Sequence, residues 1–135
     1  MDIEYKSDKI FDPARLADLF LSVGWESGKY PEKLATAMEH SGSVFSAWEG
    51  ERLVGLVNAL DDGVMNAYVH YLLVDPAYQG KGIGRELLWF VTRKYSGFLR
   101  VTLVAYDAAV GFYEKCGLVK GEGKTVMSIT NRMDA

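Results

Sequence analysis

The chain has 135 residues, of which 49% are apolar and 24% charged, with a net charge of −3. That length fits one domain, residues 1–135, able to bury a core without staples, in an ordinary globular composition. The acidic balance, without any Lys/Arg block, argues against nucleic acid or an anionic membrane as partner, and no run of eighteen apolar residues exists to span a bilayer.

Met1-Asp2-Ile3-Glu4-Tyr5-Lys6 lacks the apolar stretch of a signal peptide. The single Cys116 allows no internal disulfide, so a reducing, cytoplasmic setting is expected. Packing of a small residue before Gly117 accounts for Cys116 better than a catalytic thiol does. Two histidines and one cysteine at unrelated spacings make no metal-ligand set, so no metal is expected.

Residues 1–7 alternate modestly and read as a first strand. Asp12 is an N-cap with Pro13 at the first helical position, and Leu16, Leu19, Phe20 and Val23 follow at helical spacing, with Gly24 placed to end the helix. The segment from Trp25 to Tyr30 is polar but carries two large aromatics. Pro31 opens a second helix, with Leu34 and Met38 one turn apart, ending near Ser41-Gly42. His40 sits at its end, exposed and favourable to the helix dipole.

Ser43–Trp48 and Leu53–Leu60 read as strands joined by a turn at Glu49-Gly50. Asp61-Asp62-Gly63 is a hairpin signal into a third strand, Val64–Val74. From Ala67 onward that strand is apolar on both faces, which places it centrally in a sheet. His70 is the one ionisable imidazole in it, on the face of Tyr68 by period two.

Gln79-Gly80-Lys81-Gly82-Ile83-Gly84 then joins a strand to an amphipathic helix that carries Leu87, Leu88 and Val91 to about Tyr95. Alternating glycines leave backbone N–H groups bare at a helix N-terminus, where the dipole favours an anion such as a pyrophosphate. A Walker loop needs Lys-Ser or Lys-Thr after its last glycine, and Arg85-Glu86 stand there instead. The dinucleotide fingerprint needs a third glycine where Arg85 lies.

Beyond the helix, Phe98–Ala105 reads as a strand and Asp107 as the cap of a helix Ala108–Lys115. Short strands are expected at Gly117–Lys120 and Val126–Ile129, either side of Gly121-Glu122-Gly123. The order predicts an α/β (α+β) fold with a central mixed sheet of about six to seven strands flanked by about four helices.

The pattern Q-x-x-G-x-G after Leu72-Leu73-Val74-Asp75-Pro76 resembles the acetyl-CoA loop of the GNAT superfamily of N-acetyltransferases, small bacterial-type members included. Asp107-Ala108-Ala109-Val110-Gly111-Phe112-Tyr113-Glu114-Lys115-Cys116-Gly117-Leu118 resembles that family's second signature, A-x-x-F-Y-E-K-x-G-F. The resemblance covers nearly the whole chain and implies acetyl-CoA as co-substrate. It places the phosphates on Gln79, Gly80, Lys81, Gly82, Ile83 and Gly84, with charge from Lys81 or Arg85. It places the pantetheine arm on Leu72, Leu73 and Val74, where splayed strands would leave an amide for the thioester carbonyl.

Tyr113 matches the family tyrosine that lies by the CoA sulfur and protonates the leaving thiolate, a role that suits a phenol neutral at pH 7. Many relatives have Asn seven residues earlier; here Tyr106 stands there. The strand before the loop resembles arylalkylamine N-acetyltransferases, which carry histidines there. His70 is accordingly one choice of general base, with Glu26 or ordered water as the others. Trp25, Tyr30 and Tyr68 are expected to line the acceptor slot.

The function read from the sequence is transfer of an acetyl group from acetyl-CoA to a primary amine of a small molecule. A non-catalytic acyl-CoA-binding module, an enzyme acting on a peptide or protein N-terminus, and a homodimer all stay open.

Overall fold

The computed structural model describes residues 2–130. Among the described residues five strands form one sheet in the order β1-β2-β3-β4-β5: β1 Glu4–Lys6, β2 Ser43–Glu49, β3 Arg52–Asp61, β4 Asn66–Val74 and β5 Arg100–Leu103. The first four are antiparallel neighbours, and β5 joins β4 in parallel, as a crossover through a helix requires. The helices are α1 Pro13–Ser22, α2 Pro31–His40, α3 Ile83–Lys94 and α4 Val110–Lys115.

Local chemistry sets the first two helices. Asp12 accepts a hydrogen bond from the Ala14 amide at 2.9 Å, Pro13 follows it, and Gly24 takes φ +76° beyond the end of α1. Pro31 opens α2, and His40 is exposed at its end with Nδ1 2.9 Å from the Thr36 carbonyl.

α1 and α2 cover one face of the sheet. Leu16, Leu19, Phe20, Leu34 and Met38 pack there on Val44, Leu53, Leu56 and Leu73. α3 covers the other face, setting Ile83, Leu87, Val91 and Tyr95 against Ala47, Val57, Ala59, Ala67 and Val69. Gly55 permits that approach: a Cβ there would stand 3.1 Å from Ile83 and 3.2 Å from Leu87. Tyr95 ends α3 with its hydroxyl 2.6 Å from Asp61 and 2.7 Å from Ser43, and burial with the Asp61 contact pushes its pKa up to about 12.

The sheet is smaller than the six to seven strands expected. Gly117–Lys120 and Val126–Ile129 form no strand; each residue there lacks a ladder partner, and Gly117, Gly121 and Gly123 interrupt their alternation. Nearly all of 117–130 is exposed, Val126, Met127 and Ile129 included, so no buried face rewards pairing. β4 begins at Asn66 rather than Val64, because the Asp62 carboxylate accepts from the amides of Val64, Met65 and Asn66 and folds them into the turn. These bonds hold the Asp62 carboxyl far below the usual carboxylate range. The expected helix from Ala108 divides into a 3-10 turn, Asp107–Ala109, and α4; Asp107 lies inside that turn and does not cap it.

Candidate active site

Two irregularities in β4 create the site. The first is a bulge. Asn58 faces Tyr71 and Ala59 faces Val69, so His70 has no opposite residue. The bulge reverses the alternation: Ala67 and Val69 face α3, and beyond it Leu72 and Val74 do, while Tyr71 and Leu73 turn to α1 and α2.

The second is an open edge. β5 pairs with β4 only from Asn66↔Arg100 to Val69↔Leu103, so the strands part beyond Val69. The Asp75 amide donates to the Val54 carbonyl at 2.9 Å. In an antiparallel ladder alternate residues turn their amides to the same neighbour, so the amides of Leu72 and Val74 point away from β3, into the opening.

The glycine loop closes one end of that opening. Gly80 and Gly82 take φ +78° and +84°, and nothing lies within 4 Å of the position a Cβ would occupy at either. Gly82 is the N-cap of α3 and offers no side chain, so the first-turn amides remain available to an anion. The Gln79 side chain is already engaged. Its Nε2 donates to the Val74 carbonyl at 2.9 Å and staples the loop to β4. Asp75 fixes the approach by accepting from the Ala77 amide and from Arg52, each at 2.9 Å.

Between the open edge, this loop and α4 runs a groove of about 540 Å³. It gathers most residues expected at the cofactor: Leu72, Leu73, Val74, Gln79, Gly80, Gly82, Ile83, Gly84, Arg85 and Tyr113. Lys81 is exposed and lies outside its walls. Tyr113 is half-buried against Phe112, ring centroids 5.2 Å apart, and burial raises its pKa, with the Cys116 thiol adding to the shift. Trp25, expected at the acceptor, lines this groove, 6.3 Å from Tyr106. Sequence reasoning assigned no role there to Val23, Tyr78, Ala109 or Phe112; Phe112 belongs to the second signature and was the legible one.

A second cavity of about 410 Å³ adjoins it, lined by Glu26, Ser27, Tyr30, Lys33, Leu34, Ala37 and Tyr71. Tyr71 had no expected role. Its ring lies 5.9 Å from Trp25, so these two rings form the partition between cavity and groove, and its hydroxyl is 2.9 Å from Ser27 Oγ. Tyr30 lines this cavity; Tyr68 and His70 line neither it nor the groove. His70 keeps a solvent-exposed edge, yet Tyr68 at 5.6 Å and Tyr71 at 4.2 Å crowd its ring, and burial lowers its pKa below 6.5.

An edge strand opened beside a bare helix N-terminus, with a phenol across the gap, suits a thioester on a pyrophosphate handle. The sequence pattern of the acetyltransferase (GNAT) family matches residues 11–118. The chain belongs to this family. An uncharacterised N-acetyltransferase, ycf52-like, of Prochlorococcus marinus is 31% identical over 81% of this chain and 63% of its own. Serotonin N-acetyltransferase 2, chloroplastic, of Oryza sativa subsp. japonica is 31% identical over 83% of this chain and 58% of its own. The chain thus spans about three-fifths of each of those relatives. Among solved structures, a putative acetyltransferase of Deinococcus radiodurans superposes with a TM-score of 0.83 at 28% identity, covering 97% of this chain and 90% of that one. Among the described residues no cluster of His, Cys, Asp and Glu is arranged to hold a metal, and no helix is long and apolar enough to cross a membrane.

Proposed function

We propose that the chain moves the acetyl group of acetyl-CoA directly onto the primary amine of a small molecule. The observation that carries this reading is the convergence, in one groove, of the open β4 edge, the bare N-terminus of α3 and Tyr113. The first-turn amides of α3, with Gly80, Gly82 and Arg85, hold the pyrophosphate. Leu72 and Val74 bind the pantetheine arm through their backbone, and the Leu72 amide donates to the thioester oxygen as negative charge develops there. The amine nitrogen attacks the carbonyl carbon, the C–S bond breaks, and Tyr113 gives its proton to the departing sulfur.

The acceptor enters through the second cavity. Tyr30, Leu34, Ala37 and Tyr71 supply apolar and aromatic surface, and Glu26 supplies a carboxylate for an ammonium. An arylalkyl or otherwise apolar primary amine fits that lining, in keeping with the rice relative's name as a serotonin N-acetyltransferase. A panel of amines assayed by release of CoA thiol tests the reading. Turnover that favours arylalkylamines supports it; tight acetyl-CoA binding with no turnover on any amine, peptide N-termini included, would make the chain a binding module.

His70 takes the amine's proton, through water, since it lies beside Tyr71 rather than inside either cavity. At about 3.3 Å per residue it stands roughly 17 Å along the strand from Asp75, a span of the order of the pantetheine arm. Its lowered pKa keeps the imidazole neutral and accepting at pH 7. An alkylammonium with pKa about 10.4 is almost wholly protonated there. His70→Gln is therefore expected to lower kcat/KM at neutral pH, and raising the pH should recover part of the loss as free amine accumulates. The measurement is kcat/KM against pH for both proteins. Parallel profiles with equal maxima would remove His70 from the mechanism and leave Glu26 or water as base.

A further inference from the structure

The second cavity carries a charge that no step above uses. Among the described residues that line it, Lys33 is the only cation. It lies in α2, three residues after Tyr30, and its Nζ stands 5.4 Å from the centre of the Tyr30 ring. Positions three apart are neighbours on a helix, and the electron-rich face of the ring draws the ammonium onto the cavity wall. The helix itself gains nothing from this charge. Lys33 stands in the first turn of α2, where the dipole opposes a cation.

Burial gives the cavity a direction. Tyr30, Lys33 and Ala37 are exposed and form its mouth, whereas Glu26, Ser27 and Tyr71 are half-buried. Tyr71 is also the ring that meets Trp25 of the groove. An amine that attacks a thioester in the groove brings its nitrogen to the Tyr71 end. The far end of the molecule is then left at the mouth, beside Lys33. A second positive charge placed there meets the lysine at short range, and the ring face that would attract it already holds Lys33. Two charges flank the mouth without lining the cavity: Glu32 before Lys33, and Lys29 at the end of the 3-10 turn Glu26–Lys29. Both are exposed and their signs offset each other, so Lys33 sets the sign at the mouth.

We propose that Lys33 is a specificity-determining residue that sorts acceptors by the charge remote from the reacting amine, favouring an anionic end and disfavouring a second cation. The proposal rests on the acetyl-transfer reading above and narrows its substrate class. Arylalkyl monoamines are accepted, those with a carboxylate on the ring best of all, and diamines and polyamines are poor substrates.

A pair of acceptors matched in shape tests it: 2-phenylethylamine bearing a para-carboxylate, and the same amine bearing a para-amidinium. Each is assayed with acetyl-CoA on the parent, Lys33→Arg, Lys33→Met and Lys33→Glu. The quantity read is the ratio of kcat/KM for the two acceptors within one protein, so a general loss of activity cancels. The parent should favour the carboxylate by about 3–30-fold, the scale of attraction to one acceptor combined with repulsion of the other at an exposed charge. That ratio should shrink as salt is raised. Lys33→Arg should keep it, Lys33→Met should bring it toward one, and Lys33→Glu should invert it. A carboxylate suits the first turn of a helix, so Lys33→Glu folds. A parent without preference for the carboxylate overturns the proposal, and so does the parental ratio persisting in Lys33→Glu; acetyl transfer stands in either case. A parent that turns over no amine defeats the acetyl-transfer reading instead. The sorting is then judged by calorimetry with the same two compounds: tighter binding of the carboxylate, lost in Lys33→Glu, supports it, and equal binding or none overturns it.

Discussion

Gly82→Val is expected to abolish acetyl-CoA binding while the fold survives. Gly82 holds φ +84°, a region costly for any β-branched residue, and it is the N-cap of α3. The strain amounts to roughly 1–2 kcal/mol, against a domain stability of about 5–15 kcal/mol, so folding persists. No protein atom lies within 4 Å of the added Cβ, so the variant meets no clash within its own chain. The empty space beside Gly82 belongs to the groove, where the proposed pyrophosphate would approach the amides. A valine there fills the approach and tilts the amides it joins. Gly50→Val is the control: φ is +58°, the surroundings are equally empty, and the residue lies in the β2–β3 turn, away from the groove. Titration calorimetry and circular dichroism on both variants check this. Micromolar affinity surviving in a natively folded Gly82→Val protein would remove the phosphates from this loop.

The loop was legible because its signals are local. Asp75-Pro76 ends the strand, glycines mark the turn, and Ile83, Leu87 and Val91 carry the helical period. The same holds for Asp12-Pro13 before α1. The bulge was hidden by the composition of β4. From Ala67 to Val74 the strand is apolar or aromatic on both faces, so its alternation has no readable phase and a reversal at His70 leaves no trace.

The second cavity was half legible for a different reason. Aromatic content reads alike in a core and in a pocket wall. Trp25 and Tyr30 lie near one another in sequence, yet Trp25 lines the groove as part of the partition and Tyr30 lines the second cavity. At the C-terminal end, apolar residues at Val126–Ile129 imitate a strand, but strand formation depends on a partner, which no local pattern supplies.

Tyr113→Phe is expected to lower kcat by about 10²–10⁴-fold, the reach of a general acid, with acetyl-CoA affinity little changed. Phenylalanine keeps the ring that packs on Phe112 and removes only the hydroxyl from the groove wall. Burial raises the phenol's pKa above its ordinary 10, so the acid form persists through the physiological range. The sign of the pH dependence follows. The protonated phenol is the active form, so in the parent kcat holds at neutral pH and falls as pH rises through that raised pKa. The variant has no phenol to ionise and should lack this alkaline limb. Leaving-group chemistry gives a second reading of the same role: an acyl donor whose departing thiol is more acidic needs less help from an acid, so the deficit of the variant should shrink with such a donor. A kcat within a few-fold of the parent, with the alkaline limb intact, would reduce Tyr113 to a packing residue and require another source for the sulfur's proton.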